Sequence, residues 1–265
     1  MVIRWAKERQ ASWLRYAGKS TLNLAFPAKC AVCQITLAAD ADLLICLACQ
    51  QALKSGNVNP CPRCAFPNHV SSNLLGLNPK NQSISGCAHC VQTQLHFQQT
   101  VALGVYRDAL REVVIRMKHA HEEMLTVNVG RLLAVRVLEN PSYANADLVI
   151  PVPTHWLRRL SRGYNVAEIL GQSISRLTGI PRCDRMLKAT RRTQKQGTLR
   201  GAARARNVRG AFAVRLPDKL QGASILLIDD VVTTGSTLNE IARECRQQGA
   251  AQISCVVVAR ALGVS

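Results

Sequence analysis

Apolar positions recur along this chain with two different periods, and the alternation between them predicts its architecture. Ile225–Ile228 is a continuous apolar run of the length and composition of a strand buried on both faces. Beyond it, Leu238, Ile241, Ala242 and Cys245 recur at helical spacing, and Thr237 with Glu240 predicts a capping box at the helix start. Upstream, Thr100–Tyr106 and Asp147–Val152 read as strands. Ala109–Lys118, Val127–Leu138 and Val166–Leu177 read as helices, and Ile253–Ala259 supplies the last strand. Strands alternating with helices after residue 100 predict an α/β fold with an open, mainly parallel sheet.

Two segments break the pattern. Residues 1–29 predict an amphipathic helix, with Ile3, Trp5, Trp13, Leu14, Leu22 and Leu24 beside basic residues. Such a helix docks on a neighbouring module or lies on an anionic surface. Between Lys188 and Arg209 the chain is polar, glycine-containing and basic, and too long for an ordinary connection; segments of that kind are functional lids or disordered. Three divisions follow: the helix at 1–29, a cysteine-rich module at 30–99 and an α/β domain at 100–265.

Composition narrows the partners. With 48% apolar residues the chain can bury a core, so bulk disorder is excluded. No apolar run reaches the ~18 residues needed to span a bilayer. Arg4, Lys7, Glu8, Arg9 and Arg15 interrupt any signal-peptide core, which predicts a cytoplasmic protein. The net charge is +18, and it is uneven. Arg182–Arg215 holds eleven basic residues against the single acid Asp184, whereas Cys30–Gln99 is nearly neutral. A polyanion is the partner such a surplus fits: a pyrophosphate group, a nucleic acid, or both.

Eleven cysteines include four Cys-x-x-Cys pairs: Cys30/Cys33, Cys46/Cys49, Cys61/Cys64 and Cys87/Cys90. Two residues between thiolates let a tight turn present both sulfurs to one tetrahedral Zn²⁺, and two turns close a structural site. Eight sulfurs therefore make two Zn²⁺ sites with no open position for catalysis. The pairs can join sequentially or interleave; sequential joining closes the shorter loop. A redox role fits poorly, because no βαβ pattern surrounds the pairs. Cys183, Cys245 and Cys255 are isolated and predicted to be buried as small apolar residues.

The remaining chemistry gathers after Ile228. Asp229 and Asp230 end the apolar run, Val231 and Val232 follow, and Thr233, Thr234, Gly235, Ser236 and Thr237 form a hydroxyl-rich loop before a helix. Amides at a helix N-terminus bind phosphate, Thr and Ser hydroxyls add donors, and Gly235 admits close approach. Carboxylates at the carboxyl end of a parallel strand lie where open sheets bind ligands; they can accept from ribose hydroxyls or hold hydrated Mg²⁺. After Asp147–Val152, the loop 153–163 carries Arg158, Arg159 and Arg162, either a pyrophosphate cradle or a solvated helix start.

The segment from Ile225 to Thr237 resembles the phosphoribosyl pyrophosphate (PRPP) signature of type I phosphoribosyltransferases. That resemblance implies that Asp229 and Asp230 face the ribose hydroxyls and that Thr233–Thr237 holds the 5′-phosphate, with Val231 and Val232 between them also in the PRPP-binding segment and Mg²⁺ accompanying PRPP. Cysteine pairs ahead of such a domain are similar to the ComF family of competence-type proteins, from Pro27 onward. The marks that carry this are VIPVP at 149–153, Arg162-Gly163-Tyr164-Asn165, Thr193-x-x-Gln196-x-x-Leu199, Arg204-x-x-Asn207 and Gly210-Ala211-Phe212. Val166 departs from the family, which commonly has Gln there. The resemblance implies a double zinc-ribbon module before a phosphoribosyltransferase-like sheet, and a cytoplasmic role in DNA uptake and transformation, handling single-stranded DNA. Arg158, Arg159, Arg162, Arg192 and Arg204 would draw off pyrophosphate if transfer occurs; active phosphoribosyl transfer in nucleotide salvage or biosynthesis is the alternative. Tyr164, Trp156 and Phe212 are candidate stacking residues for DNA, and the zinc module could dock a helicase or uptake protein.

Overall fold

The computed structural model describes residues 27–38, 41–56, 59–67, 86–91, 93–154, 164–191 and 206–262. It divides into two compact units, Met1–Gln50 and Gln51–Ser265. The helix α1 covers Leu47–Lys54.

The larger unit is built on four strands, all paired in parallel: β1 (Gln99–Val105), β2 (Leu148–Pro151), β5 (Ser224–Val232) and β6 (Gln252–Arg260). Their order in the sheet is β1-β6-β5-β2, so β5 and β6 are the inner strands. That position explains their composition. Ile225–Ile228 and Val256–Ala259 are at most 1% exposed, because a parallel sheet is covered on both faces.

One face is covered by α3 (Glu123–Leu138) and α5 (Val166–Thr178). These helices cross closely: a Cβ on Gly130 would come within 2.6 Å of Ser173 Cβ. The other face packs on α6 (Ser236–Gln247), whose Leu238, Ile241, Ala242 and Cys245 meet Ile225, Leu227, Ile253, Cys255 and Val257. Completing the unit are α2 (Asp108–Arg116), the one-turn α4 (Pro141–Ala144) and a two-stranded antiparallel sheet, β3 (Leu187–Ala189) with β4 (Phe212–Val214). Met186, Leu187 and Phe212 join the core on the α6 face.

Four expectations are corrected. First, the strand read as Ile225–Ile228 runs on to Val232, so the two acids lie within β5 rather than beyond it. Second, the capping box is absent. α6 begins at Ser236 with Gly235 at its N-cap and no side-chain cap, and Glu240 instead accepts from the Gly210 amide at 2.7 Å. The tertiary amide outcompetes the local one. Third, Cys245 and Cys255 are buried but Cys183 is only partly so. Fourth, Phe212 is 8% exposed within the core and offers no face for base stacking. Residues 1–26, which hold most of the expected N-terminal helix, lie outside the described residues; Lys29 forms a bridge with Thr36. No helix among the described residues is long and apolar enough to cross a membrane.

Candidate phosphate site and metal centres

The period of two along a strand sends adjacent side chains to opposite faces. Asp229 therefore continues the row of Ile225 and Leu227 toward the α6 face, while Asp230 points to the side of α3 and α5. Their surroundings differ accordingly. Lys118, just past α2, reaches Asp230 Oδ2 at 3.3 Å. Burial and the adjacent Asp230 charge push Asp229 well above the usual carboxylate range, opposed by the Asp230 amide and by Lys118. Asp229 Oδ1 accepts that amide at 2.8 Å, and Asp230 Oδ1 accepts the Val231 amide at 2.8 Å.

After Val232 the chain turns through Thr233 and Thr234 to Gly235, whose φ of 77° lies in the left-handed region that glycine tolerates best. Thr234 Oγ1 and Ser236 Oγ are 2.8 Å apart, and the Gly235 carbonyl accepts from Asn239 as α6 winds up. Thr93, Leu95, Val208, Thr234, Ser236 and Glu240 line a cavity of about 140 Å³ beside this turn. Thus the acids, the hydroxyl turn and the first turn of a twelve-residue helix follow one another at the carboxyl end of an inner strand. An anion is favoured there by the amides of the first helical turn and the helix dipole.

Nearby parts of the signature are structural. Asn165 caps α5, accepting from the Ala167 amide at 3.2 Å and donating to the Val152 carbonyl at 3.1 Å. It thereby ties the end of β2 to the next helix. Val166 is 6% exposed, so the position that departs from the family pattern is filled by packing. The Tyr164 hydroxyl donates to the Met117 and His119 carbonyls, fixing the backbone on either side of Lys118. The β3–β4 pair holds both ends of the basic 192–205 segment, with Thr190 and Arg191 bonded to the Gly210 and Arg209 carbonyls. Arg158, Arg159, Arg162, Trp156, Arg192 and Arg204 lie outside the described residues.

The cysteines assemble sequentially. Cys30, Cys33, Cys46 and Cys49 form one group and Cys61, Cys64, Cys87 and Cys90 a second, with all sulfurs of a group within 4.8 Å of one another. A tetrahedral site with ~2.3 Å Zn–S bonds has S···S edges of about 3.8 Å. The separations fit: 3.7 Å for Cys33–Cys46, 3.9 Å for Cys61–Cys90 and 3.6 Å for Cys64–Cys87. Amides already point at the sulfurs, Cys46 N at Cys30 Sγ (3.3 Å) and Cys87 N at Cys61 Sγ (3.4 Å). Burial raises the Cys30 thiol, yet the amides of Cys33, Cys46 and Val32 outweigh it and bring it down to about 6. Cys61, chiefly through its bond with Cys64, falls to about 4. Both groups could hold zinc. The His89 ring, outside both groups of sulfurs, stacks on Phe66 with centroids 4.5 Å apart.

The second group is built into the larger unit: Thr100 of β1 bonds the Pro62 and Arg63 carbonyls between Cys61 and Cys64. Two residues of this region were missed by sequence reasoning. Lys118 ends an apolar-periodic helix, where lysine is ordinary, and Arg260 follows an apolar strand; neither carries a local signal.

Comparison with known proteins now decides the family. The phosphoribosyl transferase domain family matches residues 159–263. Competence protein F of Haemophilus influenzae is 30% identical over 221 residues, 82% of this chain and 90% of that protein. The chain belongs to the ComF family. DNA utilization protein YhgH of Escherichia coli is similar at 29% identity, over 90% of this chain and all of that protein. Competence protein ComFC of Bacillus subtilis is 24% identical over 83% of this chain and 85% of its own length. The ComF assignment spans the cysteine groups as well as the phosphoribosyltransferase domain, and both are present in the fold described above.

Proposed function

We propose that the chain binds Mg²⁺-complexed PRPP and acts in DNA uptake, handling incoming single-stranded DNA in the cytoplasm. One observation supports the first part: an acid pair inside the end of β5 runs directly into a glycine-turned hydroxyl loop at the start of α6. Asp229 and Asp230 would accept the ribose hydroxyls, and Thr233–Thr237 would hold the 5′-phosphate. When bound, Mg²⁺ neutralises pyrophosphate oxygens and, through its water shell, the charge of the acid pair. The raised Asp229 fits that reading, since a cation or hydroxyl donors relieve a desolvated carboxylate. Zn²⁺ in the two cysteine groups would be structural.

The second part rests on the relatives' names, Competence protein F and DNA utilization protein, and on the +18 charge. With Phe212 in the core, phosphate contacts rather than stacking would carry the strand, and a helicase or uptake protein is the partner class for the cysteine groups. A second reading, phosphoribosyl transfer to an acceptor, is favoured by the β3–β4 anchor of the basic segment next to α6. In that case Arg158, Arg159, Arg162, Arg192 and Arg204 would stabilise departing pyrophosphate.

The deciding experiment is calorimetric titration of Mg²⁺-PRPP into wild type and Asp229→Ala/Asp230→Ala. Saturable binding lost in the double variant is expected; no heat with wild type at millimolar ligand defeats the proposal. Fluorescent oligonucleotide binding should fall by orders of magnitude between low and moderate salt. Pyrophosphate release from PRPP in the presence of an acceptor would establish the second reading.

A further inference from the structure

Arg260, the last residue of β6, is 2% exposed, and among the described residues no carboxylate pairs with it. Burying an unpaired guanidinium is costly, so its neighbours should explain it. On one side its Nη1 donates to the Val232 carbonyl (3.1 Å), the Thr233 carbonyl and the Ala261 carbonyl (3.2 Å). The first two are the carbonyls that open the hydroxyl loop. On the other side its guanidinium carbon lies 5.3 Å from the centre of the Phe66 ring, and Phe66 packs on Cys61, Cys64 and Cys90. The Arg260 Nε has no hydrogen-bond partner, and a cavity of about 20 Å³ is lined jointly by Arg260, Cys64, Cys90, Val232, Thr234 and Gly235.

A zinc ion with four thiolates leaves a net charge of about −2. Arg260 is thus interposed between the anion that the second cysteine group becomes when metallated and the loop assigned above to phosphate. We infer that Arg260 is a positioning residue that couples the second metal site to the phosphate loop. It balances the tetrathiolate charge, screens phosphate from it, and clamps the Val232 and Thr233 carbonyls so that the amides beyond them face the ligand. The inference rests on the phosphate-loop reading. Without metal nothing holds the four sulfurs together beneath Phe66 and Arg260, and the clamp loosens.

The test uses the full zinc-loaded chain with Arg260→Met, Arg260→Lys and, as a control, Arg136→Met in the last turn of α3, a partly exposed arginine paired with Glu139. Mg²⁺-PRPP and inorganic phosphate affinities are measured beside zinc content. Arg260→Met should weaken both ligands at least tenfold while Arg136→Met stays within twofold; Arg260→Lys, which keeps the charge, should recover part of the loss. Hydrogen exchange supplies a readout independent of ligand. In wild type, stripping zinc should deprotect 232–236 more than Ile225–Ile228. Unchanged affinity in a folded Arg260→Met protein, or loop deprotection no greater than that of the strand, overturns the inference. Should Arg260→Met fail to fold, Arg260→Lys and the exchange comparison decide it. Wild type that binds neither ligand refutes the phosphate reading instead, and the exchange comparison still reports on the coupling.

Discussion

The two cysteine groups share a ligand set and the Cys-x-x-Cys pair, yet they occupy different environments. In the first, Cys30 alone is buried, Cys33 is exposed, and Cys46 and Cys49 are intermediate. In the second, Cys61, Cys64 and Cys90 are buried and only Cys87 is intermediate. The first belongs to the smaller compact unit, whereas the second is hydrogen-bonded to β1 and packed beneath the hydroxyl loop. The same cysteine pairs can therefore serve different purposes. One organises its own short loops, and the other supplies part of the base on which the anion site rests.

The strongest way to break this contrast is to delete one ligand from each group. Cys64→Ser should lose one zinc per chain and lower the main calorimetric transition by about 10 °C or more, since a structural site contributes folding free energy directly. Cys33→Ser should also lose one zinc but move that transition by no more than about 2 °C, given ~2–4 °C per kcal/mol for a chain of this size. Equal shifts from the two variants would erase the distinction.

A kinetic version asks which site yields first. With a competing chelator and a colorimetric zinc indicator, release should be biphasic, the less buried first group emptying at least tenfold faster. A single phase accounting for both ions would contradict the burial difference.

The smallest effect lies within the carboxyl end of β5 and sharpens the contrast by confining it to the larger unit. Asp229 is raised, so its native state favours the proton; that stabilising contribution is complete below the unfolded value of 3.8 and is lost as pH rises through the folded value. At neutral pH the charged form is the costly one. Asp229→Asn should therefore raise the transition by a few degrees at pH 8, with the gain shrinking toward acid. In a Cys33→Ser background the same gain is expected. A loss of stability at pH 8 would show that the carboxylate is better compensated than its burial and the Asp230 charge allow.

Much of the site was legible because its signals are local. Four apolar residues, two acids and a glycine among hydroxyls are contiguous, and the helix that follows repeats at 3.6. The boundaries shifted for tertiary reasons. β6 pairs with β5 as far as Val232↔Arg260, which keeps the acids extended, and Gly210 claims the carboxylate that would have capped α6. The stacking role given to Phe212 failed because an aromatic next to a basic segment looks the same whether it faces water or the core.

By itself the sequence determined the cysteine pairs, the strand–acid–loop–helix order and the alternation of strands with helices, since each depends on neighbours within about a dozen residues. Only the tertiary structure decided that the cysteines join sequentially, that Lys118 meets Asp230, and that Arg260 sits between thiolates and loop. Those contacts join residues tens to hundreds of positions apart, where packing rather than local preference sets which charges meet.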